Sequence, residues 1–263
     1  MGELNYSSLI KDMTWSYSRL NSFEDCPYRW YLKYIKYPKA EKKELFFASY
    51  GSFMHELLAE YYAANKTAED IRAEYLINFR KNVFSPAPSY QVFQSYFKDG
   101  LEYLNNLGDR PKEVLGVEQK MLFNIDDIQM TGFLDLLIGE DNKLILEDHK
   151  SRNLKPRSNR AKPTKADQEL DTYLRQLYIY SHYIKETYGK FPDELWFNTF
   201  RQKTVVKEPF HMDAYLQAKQ WVKDTVKTIC NESEFLPSVE FFKCKYLCEC
   251  QDLCEYYQIN FGR

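Results

Sequence analysis

The sequence predicts a mixed α/β fold with a helical N-terminal part. Segments with apolar residues at helical spacing come first, three strand-like runs follow with only short turns between them, and a strong helix leads to further strands and a last long helix. At 263 residues, 44% hydrophobic and 28% charged, the composition is globular and large enough for one core with a smaller cap. We read the chain as a single unit in three parts. Residues 15–110 are helical, 111–210 form an α/β core, and 211–263 hold a helix and a cysteine-rich tail.

Taken in order, "SYSRLNSFEDCPYRWYLKYI" reads as two short helices. Ser18 is expected to cap the first, and Pro27 suits the first turn of the second, leaving Cys26 at the joint. "SYGSFMHELLAEYYAAN" spaces Phe53, Leu57, Leu58 and Tyr61 or Tyr62 as one helical face. Further helices span 67–107, broken around "SPAPS". "EVLGVEQKMLFNI", "IQMTGFLDLLIG" and "KLILEDHKS" are the strand runs. After a polar stretch, "LDTYLRQLYIYSHYIKETYG" is a helix that Gly189 ends. "DELWFNTFRQ" and "TVVKEPF" read as strands, and "MDAYLQAKQWVKDTVKTIC" as the last long helix, with Cys230 expected as a buried core thiol.

Several function classes drop out. The apolar runs fall short of the roughly 18 residues that span a bilayer, so no membrane association is expected. The N-terminus lacks a signal-peptide core, and Tyr6 breaks the myristoylation pattern, so a cytoplasmic location is expected. There, six cysteines point to metal ligation rather than disulfides. A net charge of −2 announces no global basic field, which leaves local nucleic-acid contacts open. There is no P-loop, hence no nucleotide-driven motor.

The chemistry concentrates on the second and third strand runs. Asp135 lies near the end of one, and the next ends in Asp148-His149-Lys150. Alternation sets Asp148 and Lys150 on one face and Glu147 and His149 on the other. Two carboxylates from adjacent strands suit a hard cation such as Mg2+ or Mn2+, and a neighbouring lysine can orient water or offset phosphate charge. On these residues alone, a strand that leaves the core and meets solvent is an equal reading.

"GFLD…LILEDHK" resembles the "GxxD…(D/E)xK" signature of the PD-(D/E)XK nuclease superfamily. Three more matches, in the family's order, resemble its RecB-like branch. "GSFMHELL" is similar to the "GxxxH" helix with Gly51 and His55, "QLYIY" to "QxxxY" with Gln176 and Tyr180, and "SYSRLNSFEDCPYRWYLKY" to the N-terminal cysteine-containing segment. The resemblance implies a restriction-endonuclease-like core, a mixed central sheet flanked by helices. It implies that His55, Asp135 and Asp148 ligate the catalytic metal, with the His149 carbonyl. Lys150 would activate the attacking water, and Gln176 and Tyr180 would hold the substrate strand or orient the lysine. His149 departs from the family's aromatic or aliphatic residue and is expected to be tolerated on the opposite face.

"CKYLCECQDLC" crowds Cys244, Cys248, Cys250 and Cys254 together. Some RecB-like nucleases hold an iron–sulfur cluster by one cysteine before the nuclease motifs and three after them, near "C-x2-C-x5-C". The resemblance implies Cys26, Cys244, Cys248 and Cys254 as ligands of a [4Fe-4S] cluster, with Cys250 spare. One extra residue between Cys244 and Cys248 leaves Cys250 open as a replacement for Cys248. Four thiolates also accept zinc, so zinc stays as the alternative.

From Lys150 to Lys165 run seven basic residues with no acid before Asp167. Arg152, Lys155, Arg157 and Arg160 are candidates for DNA phosphate contacts on a mobile loop, and a merely solvated loop is an equal reading. Among the aromatics, Tyr28, Trp30, Tyr31 and Tyr34 could stack on bases, though core packing is the commoner role.

The function these features imply is a metal-dependent DNA exonuclease working on single strands or ends. Its setting would be recombination, repair or CRISPR-type processing, with protein partners from those systems. The alternative is a catalytically silent iron–sulfur subunit that binds DNA ends. A zinc-stapled scaffold is a third reading.

Overall fold

Five strands form one mixed sheet in sequence order. They are β1 (Glu113–Ile125), β2 (Ile128–Glu140), β3 (Lys143–Lys150), β4 (Glu194–Thr199) and β5 (Thr204–Pro209). The structure, a computed structural model, describes residues 6, 10 and 12–262. β1–β2–β3 is an antiparallel meander, β3 and β4 run parallel, and β5 returns antiparallel. A parallel pair needs a long crossover, and α6 (Lys165–Tyr188) supplies it.

α1 (Tyr17–Asp25), α6 and α7 (Met212–Asn231) bury one sheet face in the main core, built on Leu20, Met121, Leu134, Leu174, Leu177, Phe197 and Val222. Trp30, fully buried on α2 (Pro27–Tyr31), stacks on Phe235 with centroids 5.6 Å apart, so the N-terminal helices and the segment after α7 share this core. A second core belongs to α3 (Phe46–Tyr62), α4 (Ala68–Asn82) and α5 (Tyr90–Asn105), around Tyr50, Phe53, Tyr75 and Phe79. No helix of the described residues is long and apolar enough to cross a membrane.

Local chemistry moves some of the expected boundaries. The cap of α1 is Ser16, not Ser18. Its Oγ accepts the Arg19 N–H at 3.1 Å, and the helix then buries Tyr17 and Leu20, one turn apart. Cys26 and Pro27 begin α2 as expected, and a π-helical turn, Leu32–Lys36, continues it. α6 starts at Lys165, five residues before the apolar pattern. Thr164 and Asp167 form a reciprocal capping box there, which draws polar residues into the helix. Gly189, at φ 77°, closes α6 in the left-handed conformation. Cys230 packs against the main core but is only half-buried, because it lies in the last turn of α7.

Candidate active site

The site begins with strand register. In the β1–β2 hairpin, Val117 pairs with Leu136 and Gln119 with Leu134, which sets Glu118 across from Asp135. In β2–β3, Leu136 pairs with Glu147, so one further step sets Asp148 beside Asp135. Three carboxylates therefore lie in a row across three neighbouring strands. Asp135 sits in the body of β2, not near its end as the sequence suggested, because β2 runs on to Glu140.

Simple alternation fails at this row. Met121, Phe123 and Leu134 face the main core, but Val117 and Leu136 belong to a separate cluster on the other face. Both strands thus change face at Glu118 and Asp135. Glu118 sits there at φ 42°, a left-handed conformation unusual for a non-glycine residue. A kink of this kind re-aims side chains, and here it turns Glu118 towards α3.

α3 brings His55 to the same point. His55, Glu118 and Asp135 each offer a ligand atom, and these atoms lie within 4.8 Å of one another. The imidazole Nδ1 faces Glu118 Oε1 at 3.4 Å and Asp135 Oδ2 at 3.6 Å, and Nε2 lies 3.0 Å from the His149 carbonyl oxygen. Burial by itself lowers the His55 pKa, but Glu118, Asp135 and Asp148 outweigh it and raise it to about 9. At neutral pH the ring is therefore a cation, with both N–H groups donating. Asp135, buried beside Asp148, is pushed up to about 7, although its Oδ2 accepts the His149 backbone N–H at 2.6 Å.

On the α6 side, Gln176 Nε2 donates to Asp148 Oδ1 at 3.0 Å and to Tyr180 Oη at 3.3 Å. Lys150 Nζ donates to Gln176 Oε1 at 3.1 Å and lies 2.7 Å from Asp148 Oδ2. That approach is not aligned as a hydrogen bond, so the buried Oδ2 keeps an unused acceptor site. Tyr180 reaches this position because residue 132 is glycine. A Cβ there would stand 2.8 Å from the tyrosine ring.

The four expected charged residues, His55, Asp135, Asp148 and Lys150, meet here with the His149 backbone carbonyl. Glu118 was missed from the sequence. Its signal is countable, since residues seven back and seven forward from the Ile125–Ile128 pair are Glu118 and Asp135. His149 packs its ring on Tyr62, with centroids 5.7 Å apart, and burial lowers its pKa well below the ordinary value. A cleft of about 1090 Å³ opens on the site, with His55, Glu118 and Asp135 in its wall.

The family profile of the PD-(D/E)XK nuclease superfamily matches residues 14–255. The chain belongs to this superfamily. Its mixed five-stranded sheet flanked by helices is the fold expected from the motifs, and DNA is the substrate class of such nucleases. No curated protein matches the chain. Among solved structures, the chain is similar to SSO0001, at 16% identity over 94% of this chain and 87% of the other, with a TM-score of 0.37. It is also similar to a protein from Eubacterium rectale whose assignment as an exonuclease is provisional. That match has 9% identity over 99% and 92% of the chains, with a TM-score of 0.47.

In this PD-(D/E)XK nuclease five cysteines from the two ends of the chain gather at one place in space. Cys26, Cys244, Cys248, Cys250 and Cys254 line one cavity of about 30 Å³. Cys26 Sγ accepts the backbone N–H groups of Arg29 and Ser238, each at 3.4 Å. Burial raises the pKa of Cys244 and Cys254, and both are raised further by their common neighbours Cys248 and Cys26. Cys250 is fully buried, and its pKa is lowered by a hydrogen bond with Cys248. Among the described residues, no three of these sulfurs come within 4.8 Å of one another.

The basic segment is less free than its composition suggests. Leu154 is buried in the main core, and Asp167 accepts from the Ser158 N–H and hydroxyl, each at 2.7 Å. Arg152 pairs with Glu169 and lies over the Tyr173 ring, and Arg157 pairs with Asp171 and Glu208. Lys155 and Arg160 are exposed, with no ion pair among the described residues. Of the four aromatics on the N-terminal helices, Tyr28 and Trp30 are core residues, while Tyr31 and Tyr34 are half-buried.

Proposed function

We propose that this protein is a metal-dependent DNA exonuclease that hydrolyses phosphodiester bonds in single strands or at DNA ends, within recombination, repair or CRISPR-type processing. The observation that carries the reading is the meeting of His55, Glu118 and Asp135 in the wall of one cleft, with the Asp148–Lys150 pair on the adjoining strand. We also take residues 1–263 as one nuclease unit.

The donor set fits a divalent cation. Hard carboxylate oxygens converge from adjacent strands, and the buried Asp148 Oδ2 has an unused acceptor site. His55, Asp135 and Asp148, with the His149 carbonyl, would hold Mg2+ or Mn2+, and Glu118 joins them. When bound, the cation lowers the pKa of water and offsets phosphate charge. The protein's own groups do the rest. Lys150 orients the attacking water and stabilises negative charge that grows on the phosphate. Gln176 spans Lys150 and Asp148 and fixes their relative position, and Tyr180 fixes Gln176. His55 gives up a proton to become a ligand, so protons and cation compete for it.

At the other end, Cys26, Cys244, Cys248 and Cys254 would hold a [4Fe-4S] cluster, with Cys250 behind them. N–H···S bonds to Cys26 suit a thiolate ligand. Four thiolates also accept zinc, which stays the alternative to the cluster. A silent DNA-end-binding subunit would have no use for the full set of acids and lysine.

The test is degradation of end-labelled single-stranded DNA with Mn2+ or Mg2+ by protein purified without oxygen. Wild type shortens the strand, and Lys150→Ala, folded and still brown, is at least about 100-fold slower. No cleavage by wild type across ends and metals overturns the reading.

A further inference from the structure

We infer that Phe133 is a stacking platform for one unpaired nucleobase, placed so that the attached phosphate enters the acidic cluster. The inference rests on the nuclease reading above and names the substrate contact that would make the cleft choose an unpaired strand.

Phe133 lies two residues before Asp135 on β2. Its neighbour Gly132 faces Tyr180 and α6, so Phe133 projects from the opposite face, into the cleft that His55, Glu118 and Asp135 line. It is 53% exposed, although the residues on either side of it belong to the packed face. Among the described residues, the ring belongs to no core cluster. Its register partner on β1 is Lys120, also exposed, so an aromatic face and a cation stand side by side on the strand pair that carries Glu118 and Asp135. An aromatic with an adjacent cation is the pairing that holds single strands, the ring taking a base and the cation a phosphate.

The α3 side of the same cleft supports this. Gly51 on α3 lies one helical turn before His55 and lines the same cleft. A Cβ at Gly51 would meet nothing within 4 Å, and the backbone there is not left-handed. Neither packing nor backbone conformation calls for glycine, yet a glycine inside a helix costs about 1 kcal/mol relative to alanine. What it provides is clear space in the cleft that Phe133 also lines. A base in a duplex has both faces covered by its neighbours, so a free aromatic at this point favours a base that is unpaired or terminal.

The experiment uses the full-length protein and single-stranded oligonucleotides with 2-aminopurine or an abasic site at successive positions. Binding is read in the Lys150→Ala background, so that the strand stays intact. One position is expected to show 2-aminopurine quenching that Phe133→Ala abolishes and Phe133→Trp retains. Phe133→Ala weakens binding about 10-fold. An abasic site at that position costs about 10-fold with Phe133 present and less than about 2-fold with Phe133→Ala, a coupling that a merely structural role would not produce. Unchanged affinity and an undiminished abasic penalty in Phe133→Ala overturn the inference, while cleavage by wild type leaves the nuclease reading standing. Phe133-dependent quenching without any cleavage by wild type does the reverse. Neither binding nor cleavage overturns both.

Discussion

At the cleft, the acids ride on three paired strands. β1 and β2 are bonded along their length, α3 and α6 press on either side, and Gln176 ties Lys150 to Asp148. At the cysteine end, Cys26 caps a five-residue helix, and Cys244 sits on a π-helical turn of five residues. Cys248 and Cys254 lie at the ends of short irregular pieces. The contacts that close this end are few and specific. Lys33 pairs with Glu249 at 2.5 Å, Tyr28 Oη donates to Glu255 at 2.7 Å, and the Lys43 N–H bonds to the Glu249 carbonyl. The first region is held by the fold and strained by its charges, as the raised pKa values of Asp135 and Glu147 record. In the second, burial and neighbouring thiols raise the pKa of Cys244 and Cys254, a strain that the proposed cluster would relieve. Oxygen ligands on a sheet are preorganised at the expense of stability, whereas sulfur ligands on loops make their ligand part of the fold.

Substitutions should separate the two regions cleanly. Asp135→Asn is expected to lower nuclease activity by about 10³-fold or more and to weaken Mn2+ binding, without lowering the melting temperature. Calorimetric titration and a thermal melt check this, and a large loss of stability would break the contrast. Cys26→Ser should do the opposite, losing iron and colour and dropping the melting temperature by about 10 °C, while the cleft still binds Mn2+. Cys250→Ser should keep its iron. Iron lost from Cys250→Ser but kept by Cys248→Ser would exchange their roles.

A smaller effect comes from Glu147, which burial pushes up to about 7 despite a hydrogen bond from Asn198. Because its folded pKa is raised, its contribution is most favourable below the ordinary carboxylate range and is lost as pH rises through about 7. Glu147→Gln should therefore match wild type near pH 4 and exceed it at pH 8, by up to about 3 kcal/mol in urea melts. An equal pH slope in both proteins would show that the carboxyl is not strained. Smallest of all, Gly51→Ala should raise stability by about 0.5–1 kcal/mol in the same melts, since its added methyl meets open space. Destabilisation would mean that the cleft wall is not clear.

Much of the site was legible because strand pairing and helical spacing are local. Asp148 and Lys150 share a side of β3, and Gln176 and Tyr180 share a face of α6 one turn apart, as their residue numbers require. Glu118 escaped notice because it occupies an ordinary-looking position in "VLGVEQKM". Its importance comes from a left-handed backbone that no propensity favours for glutamate. The basic segment misled in the other direction. Its charges suggested a free loop, but Arg152 and Arg157 find acids on α6 and β5, and Leu154 anchors the chain in the core.

The sequence by itself determined the order of elements, the acids of β2 and β3, the lysine and the cysteine inventory, because periodicity and spacing are properties of neighbours along the chain. Only the tertiary structure decided which ligands converge. His55 and Asp135 stand eighty residues apart in the chain, and Cys26 and Cys244 more than two hundred. Their meeting depends on how α3 seats against the hairpin and how the tail closes over the N-terminal helices. Those arrangements follow from packing of surfaces, which no local stretch of sequence specifies.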